Sequence, residues 1–385
     1  MRVLYLLHRY HTNQNEIMRG WLEHGDEIMF LTQYQGKIED YTNIKPITLG
    51  YSWIFDVWYN FYVNVLRKND PAAKDVRIRY GLPPLHRIAH YIDEFNPDLI
   101  ILRERSLYTI FTYLLCNAKH YKTFLYNLSP VWASPEYFKN DIAHKIVRML
   151  TPRYRFTPTH QIGIDMQGKI RDSYSYFAPF LVKPMCAPEN RTYFHDGKIN
   201  IFEIGKYQTR KNHFLMVKVI KRLSEQYPDI RLTIAGEMSD HFHEEYYNQL
   251  NNYIIDNHLE EIVTLKKNLS KKQVGDEYLK ADVFVVPSTG EPASITVIES
   301  MAYSVLSISG TDNGTADYIK PGITGEVFED GNENDLYNKM DRILSDRNNI
   351  PRMGKAGYQS VLDEFQFQNY YNVICKMMKD QAEGK

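Results

Sequence analysis

The chain has 385 residues, 43% of them hydrophobic and 24% charged, which excludes a disordered or fibrous polypeptide and exceeds what one hydrophobic core organises. Its net charge of -1 conceals an asymmetry, because residues 1 to 190 hold 23 basic against 18 acidic side chains and the remainder 23 against 29. So thin a basic excess excludes a nucleic-acid binder, which needs a dense set of phosphate contacts, and is compatible with an anionic acceptor or an anionic membrane surface.

From the N-terminus, VLYLL reads as a buried first strand, its apolar run too brief for a signal-peptide core or a membrane span. The loop HRYHTNQNE and the helix NEIMRGWLEHG follow, then the strand EIMFLT. YSWIFDVWYNFYVNVLRK, residues 51 to 68, carries Trp53, Phe55, Trp58, Tyr59, Phe61 and Tyr62, an aromatic density like that of a helix at a membrane interface. The simpler expectation is an aromatic helix packed on its own domain. PPLHRIAHYIDEF predicts a helix and DLIIL and TFLY predict strands; HKIVRMLTPRYRF gathers Lys145, Arg148, Arg153 and Arg155 on a segment suited to lipid head groups or to a solvated face.

Beyond Pro179, Pro184 and Pro188 a new strand-helix series starts at Ile199: INIFEIG, HFLMVKVIKRL, IRLTIAG, EEYYNQLNNYIIDN, IVTL, DVFVVP, ITVIESMAYS and LSISG. Strands alternating with helices predict an α/β protein of parallel sheets covered on both faces. We place the join near Asn190, giving an N-terminal domain over 1–190, a C-terminal domain over 191–365 and a tail helix over 366–385.

Ligands of such sheets bind beyond the carboxyl ends of the strands, which directs attention to DVFVVPSTGEPASITVIESMA. The strand Asp282 to Pro287 leads into a loop with Glu291, and a helix is expected to open at Ser294 and carry Glu299. The loop carboxylate can accept hydrogen bonds from sugar hydroxyls and the helix carboxylate from a ribose diol. The backbone from Ala293 through Ser294, Ile295 and Thr296 offers N–H groups to a phosphate.

This pair of glutamates separated by seven residues, in a strand-loop-helix setting, resembles the signature of glycosyltransferase family 4, the retaining GT-B enzymes. SMAYSVLSISGTDNGTADYIKPGITGEVFEDGNENDL continues the likeness. The resemblance implies two doubly wound Rossmann-like domains facing a cleft, the first binding an acceptor and the second a nucleotide sugar, with the tail helix crossing back to the first. It also implies a cationic donor element, found here as Gly205, Lys206 and Lys211 in GKYQTRK, with Lys206 where most members carry arginine. By the same likeness Gly236 lies near the diphosphate or base, and Leu269 near the nucleobase.

The implied activity is a hexosyl-type glycosyltransferase (EC 2.4) acting with retention, in which Lys206, Lys211 and Glu291 carry catalysis. Its donor is a UDP-sugar or GDP-sugar, a substrate rather than a cofactor, and its acceptor a glycan or lipid-linked saccharide of bacterial surface polysaccharide or lipopolysaccharide biosynthesis. The place is the cytoplasm, at the inner face of the membrane. In the first half HRYHTNQNE lacks the glycines that relatives carry, and Asn127 stands where many have histidine. Position alone nominates His11, Arg103, Arg105 and Asn127 for the acceptor side.

No two aspartates are separated by a single residue, and HExxH, P-loop and GxSxG motifs are absent, so no metal site and no divalent-ion requirement are expected. Cys116, Cys186 and Cys375 have no CxxC spacing and suggest neither disulfide nor zinc. A sugar-nucleotide 2-epimerase and a non-catalytic nucleotide-sugar-binding partner remain the alternatives.

Overall fold

A computed structural model describes residues 1–36, 41–68, 76–77, 80–103, 106–128, 142–159 and 174–384. The chain forms two compact units, Met1–Leu181 with Phe367–Lys385, and Val182–Gln366. The division falls after Leu181, between Pro179 and Pro184, rather than near Asn190; the stretch 182–190 lies beyond it. Met185 and Cys186 donate their N–H groups to the Ala302 carbonyl, and Ser304 Oγ donates to the Cys186 carbonyl at 2.7 Å, so that stretch belongs to the second unit.

In the first unit the described strands are β1 (Arg2–Leu7), β2 (Glu27–Thr32), β3 (Ile47–Thr48), β4 (Leu99–Arg103), β5 (Thr123–Tyr126), β6 (Arg155–Thr157) and β7 (Ser175–Phe177). They form a parallel sheet in the order β3-β2-β1-β4-β5-β6-β7. Its helices are α1 (Asn15–Glu23), α2 (Trp53–Phe61), α3 (Leu85–Phe95), α4 (Leu107–Ala118), α5 (Ile142–Met149) and, from the chain's end, a helix over Phe367–Glu383. Serine caps α2 and α4: Ser52 Oγ accepts from Phe55 N and Ser106 Oγ from Thr109 N.

Alternate residues of β1 feed two cores, as the pleat requires. Leu4 and Leu6 pack with Phe55, Ile88, Ile92 and Tyr108. On the opposite face Val3, Tyr5 and Leu7 pack with Ile17, Met18 and Trp21 of α1 and with Tyr370, Ile374 and Met377 of the terminal helix. Trp21 Nε1 donates to Tyr5 Oη at 2.8 Å, and Tyr5 Oη lies 3.1 Å from Tyr370 Oη. Burial pushes the Tyr5 phenol well above its ordinary range.

The aromatic helix α2 packs on its own domain through Phe55 and Tyr59, as the simpler expectation had it, but leaves much apolar surface facing outward. Phe55 is its one buried residue, while Trp53, Ile54, Val57, Trp58 and Phe61 are exposed, followed by exposed Val65 and Leu66. The basic segment also divides. Lys145 and Arg153 are exposed, Arg155 is buried with Nε donating to Ser175 Oγ at 2.7 Å, and the Arg148 side chain lies outside those described.

The second unit holds β8 (Ile199–Ile204), α6 (His213–Ser224), β9 (Ile230–Gly236), α7 (His241–Asp256), β10 (Val263–Lys267), α8 (Lys271–Lys280), β11 (Val283–Val286), α9 (Thr296–Ala302), β12 (Leu306–Gly310), β13 (Gly325–Phe328), α10 (Glu333–Ser345) and α11 (Asn349–Glu364). The terminal helix is therefore α12. All six strands run parallel in the order β10-β9-β8-β11-β12-β13. Asp282, buried below β11, accepts from Phe194 N and Asn200 N, both at 2.8 Å, and fixes the start of β8. Burial raises its pKa, opposed by those two hydrogen bonds.

The close approach of α1 and α12 depends on Gly20, where a Cβ would stand 2.1 Å from the Phe367 ring. Gly20→Ala is expected to destabilise the protein by about 1–3 kcal/mol through overpacking, with a smaller penalty in a Phe367→Ala background. Thermal denaturation of the four proteins of that cycle reads the coupling; equal penalties in both backgrounds would rule out this contact.

Candidate functional site

At the carboxyl end of β8 the chain passes Gly205 and makes a single 3-10 turn over Thr209–Lys211. A Cβ on Gly205 would meet Lys211 Cδ at 2.9 Å and Cγ at 3.0 Å, so the lysine stem lies directly across the glycine. Lys211 Nζ then reaches Glu291 Oε2 at 2.5 Å, and Arg210 Nη1 reaches the same oxygen at 2.7 Å. Glu291 is 8% exposed. Burial alone would raise its pKa, but Lys211 and then Arg210 outweigh that and hold it below the usual carboxylate range. Two cations against one carboxylate leave a local positive excess.

The loop that presents Glu291 is tied down on both sides. Thr289 N–H donates to the Arg210 carbonyl at 2.9 Å, and Gly314 N–H to the Glu291 carbonyl at 3.0 Å. Gly290 takes φ +57°, a left-handed conformation glycine adopts without strain, and donates its N–H to Asp312. The buried Asn313 amide oxygen accepts from Ser294 N at 3.3 Å and Thr315 N at 3.2 Å, while Thr315 Oγ1 donates to the Ser294 carbonyl at 2.8 Å.

This network changes one sequence expectation. The helix α9 opens at Thr296, not Ser294, and Ser294 N–H is committed to Asn313, so Ser294 is no open phosphate donor. The first N–H groups of a helix have no intrahelical acceptor, which leaves Ile295 and Thr296 at that end. Ala293 lies just before them, half-buried.

Glu299 sits on α9, half-buried, with the Tyr278 hydroxyl donating to Oε2 at 3.4 Å. Burial raises its pKa, against the pull of that hydrogen bond and of Lys271. Lys206 is exposed and pairs through Nζ with Glu237 Oε2 at 3.2 Å. Gly236 makes room for an aromatic ring: a Cβ there would meet Tyr207 at 2.3 Å. Its carbonyl accepts from Asn268 N at 2.9 Å, with Leu269 half-buried next in the chain. The structure thus joins Gly205, Lys211 and Glu291 in direct contact, with Lys206 engaged with Glu237 and Glu299 with Tyr278.

Sequence reasoning missed Arg210, Asn313 and a buried pair behind the loop. Glu203 of β8 places Oε1 2.6 Å from His213 Nδ1, and His213 Nε2 donates to the Lys206 carbonyl at 3.0 Å. The pair clamps the backbone of the cationic loop; a carboxylate inside the apolar run INIFEI was the available signal.

On the first unit His11 and Arg103 line one concavity at the carboxyl ends of β1, β4 and β5. His11 precedes a 3-10 turn without capping it. Asn127, between the lining residues Tyr126 and Leu128, is buried, with its N–H bonded to the Phe156 carbonyl at 3.0 Å; Arg105 lies outside the described residues.

Comparison with known proteins fits this geometry. Residues 189–360 match the family described as glycosyl transferases group 1. A GDP-mannose-dependent alpha-(1-6)-phosphatidylinositol monomannoside mannosyltransferase of Mycolicibacterium smegmatis is 21% identical over 189 residues, 47% of this chain and 48% of that protein. The chain spans less than half the length of such curated relatives. Among solved structures, a glycosyltransferase from Rickettsia africae ESF-5 superposes with TM-score 0.70 at 16% identity, covering 100% of this chain and 99% of the other. Anabaena Alr3699/HepE in complex with UDP does so with TM-score 0.71 at 11% identity over 99% and 100%. The fold is GT-B, two Rossmann-like domains.

A carboxylate pair beside the Glu291 loop sets a pH dependence. Burial, and then the charge of Asp312, raise Asp330 to about 6 from an ordinary 3.8. Its carboxyl is therefore easier to ionise in the unfolded chain, so stability declines as pH rises from about 4 through 6. Asp330→Asn, which cannot ionise, is expected to melt higher than wild type at pH 8 and to lose the advantage at pH 4; an equal difference at both would refute the assignment.

Proposed function

We propose that the chain is a hexosyl-type glycosyltransferase that moves a sugar from a UDP- or GDP-linked donor to a glycan or lipid-linked acceptor, with retention of configuration and without a divalent ion. The observation that carries this reading is the sharing of Glu291 by Lys211 and Arg210. A departing nucleoside diphosphate accumulates negative charge, and cations already fixed in place stabilise it without reorganisation. Lys211 and Arg210 supply that charge, Lys206 adds to it at the rim, and the first N–H groups of α9 at Ile295 and Thr296 assist. Glu291 accepts from hydroxyls of the donor sugar, and Glu299 from the ribose.

In the implied chemistry the anomeric carbon–oxygen bond to the diphosphate breaks first and takes its electron pair to the leaving group. The acceptor hydroxyl then attacks the oxocarbenium-like sugar from the same face and passes its proton to the oxygen of the departing diphosphate. The relative that uses GDP-mannose and the fold neighbour that holds UDP support a nucleotide-linked donor. A role in bacterial surface polysaccharide synthesis belongs to the same proposal.

Lys211→Ala or Glu291→Ala is expected to lower kcat/KM by about 2 kcal/mol or more, roughly thirtyfold. Steady-state kinetics with the donor found by a thermal-shift panel of UDP- and GDP-sugars provides the measurement. A donor at 100 times its Kd adds about 2.7 kcal/mol of stability. Unchanged turnover in both variants would remove the basis of the proposal.

The reading includes peripheral contact with an anionic bilayer through α2. No described helix is long and apolar enough to cross a membrane. The exposed face instead sets Trp53 (73% exposed) and Phe61 (53%) beside Ile54, Val57, Val65 and Leu66 and ends in exposed Arg67 and Lys68, apolar area with basic charge at its margin. Trp53→Ser with Phe61→Ser is expected to weaken sedimentation with phosphatidylglycerol vesicles roughly tenfold while leaving Tm unchanged. Equal sedimentation of the variant and wild type would exclude the contact.

A further inference from the structure

We infer that Glu203 and His213 are positioning residues for transfer: the carboxyl group fixes which imidazole nitrogen carries the proton, and that proton holds the cationic loop in the geometry the leaving group meets. Its consequence for transfer rests on the transferase reading; the proton assignment stands on the geometry of the second unit alone.

The two side chains come from the opposite ends of one connection. Glu203 lies near the end of β8 and His213 opens α6, so together they bracket the segment that carries Lys206, Arg210 and Lys211. Both are buried, Glu203 at 1% and His213 at 0% exposure. The rings of Tyr207 and Tyr246 pack near the imidazole, with centroids 5.5 and 5.8 Å away. Water therefore cannot replace either of its hydrogen bonds.

The protons can be counted from the acceptors. A carbonyl oxygen only accepts, so the 3.0 Å contact between His213 Nε2 and the Lys206 carbonyl requires a proton on Nε2. Nδ1 stands 2.6 Å from Glu203 Oε1, a separation that requires one proton between the two atoms. The pair thus holds two protons, and wherever the shared one rests it has no net charge. Without the carboxyl group a neutral imidazole is free to carry its single proton on Nδ1. Nε2 would then turn a lone pair toward the Lys206 carbonyl, and two facing acceptors repel.

Stability does not account for a carboxyl group here. Glu203 Oε2 is buried and has no hydrogen-bond partner among the described residues, a cost that an apolar residue in the run INIFEI would avoid. What the first oxygen does for His213 is the remaining explanation. The Lys206 carbonyl lies between Gly205, across which the Lys211 stem passes, and Tyr207, whose hydroxyl donates to the Ile234 and Lys266 carbonyls at 3.2 and 2.8 Å. Tyr207 and His213 therefore fix the backbone beneath both lysines. Cations that stabilise a growing charge act without reorganisation only if already in place, so a small displacement costs more in the transition state than in donor binding.

The test uses the full chain and the donor identified by a thermal-shift panel of UDP- and GDP-sugars. Glu203→Gln preserves the assignment, because its amide N–H can donate to Nδ1 and leave the proton on Nε2; Glu203→Leu offers Nδ1 nothing. Glu203→Leu is expected to lower kcat roughly tenfold or more, with donor KM and UDP affinity within about threefold of wild type, and Glu203→Gln to keep kcat within about threefold. Long-range proton–nitrogen NMR of the imidazoles, assigned with His213→Asn, is expected to show Nε2 protonated in wild type and in Glu203→Gln and the proton moved toward Nδ1 in Glu203→Leu. Should Glu203→Leu fail to fold, Glu203→Met takes its place in the kinetics. In wild type itself, an Nε2 without a proton overturns the inference. Equal loss of kcat in the Gln and Leu variants, a raised KM at unchanged kcat, or full turnover by Glu203→Leu overturns it as well. Absence of turnover by wild type on every nucleotide sugar would instead count against the transferase reading, and the wild-type spectrum would still decide the proton assignment.

Discussion

The candidate site of the second unit turns on one carboxylate oxygen shared by two cations. Glu291 Oε2 receives both Lys211 and Arg210, and neighbouring features make sense as means of holding that oxygen in place. Gly205 has no side chain because the lysine stem occupies the space one would need. Glu203 and His213 are buried behind the loop to fix the Lys206 carbonyl. Asn313 and Thr315 arrive from beyond β12 to tie the far end of the glutamate loop. A partly desolvated ion pair contributes little net stability, but removing one member strands the other's charge. The arrangement is better explained by preorganisation than by stability.

Much of this architecture was legible because it is written locally. Strand runs such as VLYLL and DVFVVP, with amphipathic helices between them, specify doubly wound sheets through periodicity alone. The chain segment bearing Glu291 and Glu299 could be placed at a strand-to-helix junction for the same reason. What could not be read are contacts set by tertiary packing. Arg210 and Glu291 stand 81 positions apart in the chain, and nothing around Asn313 announces that its amide will take the Ser294 N–H. The helix start expected at Ser294 falls at Thr296, and the Ser294 hydroxyl lies 2.6 Å from Thr296 Oγ1 instead of capping the helix.

The aromatic segment teaches a related lesson. Composition makes a stretch with Trp53, Trp58 and Phe61 look like core, since large aromatic groups bury well. Its pattern argues otherwise in part, because Phe55 and Tyr59 pack inward while apolar residues continue around the helix. An amphipathic helix has one apolar stripe; α2 has apolar residues on the outward side too. Periodicity weighed above composition would have anticipated this.

The two cationic environments differ in a way that bears on turnover. On the second unit Glu291 already neutralises part of the charge of Lys211 and Arg210, so on the transferase reading a diphosphate competes there with that carboxylate. That competition weakens the grip on the product without weakening the field felt by a group whose charge grows during reaction. On the first unit Arg103 rests against an aromatic face with no acid among the described lining residues.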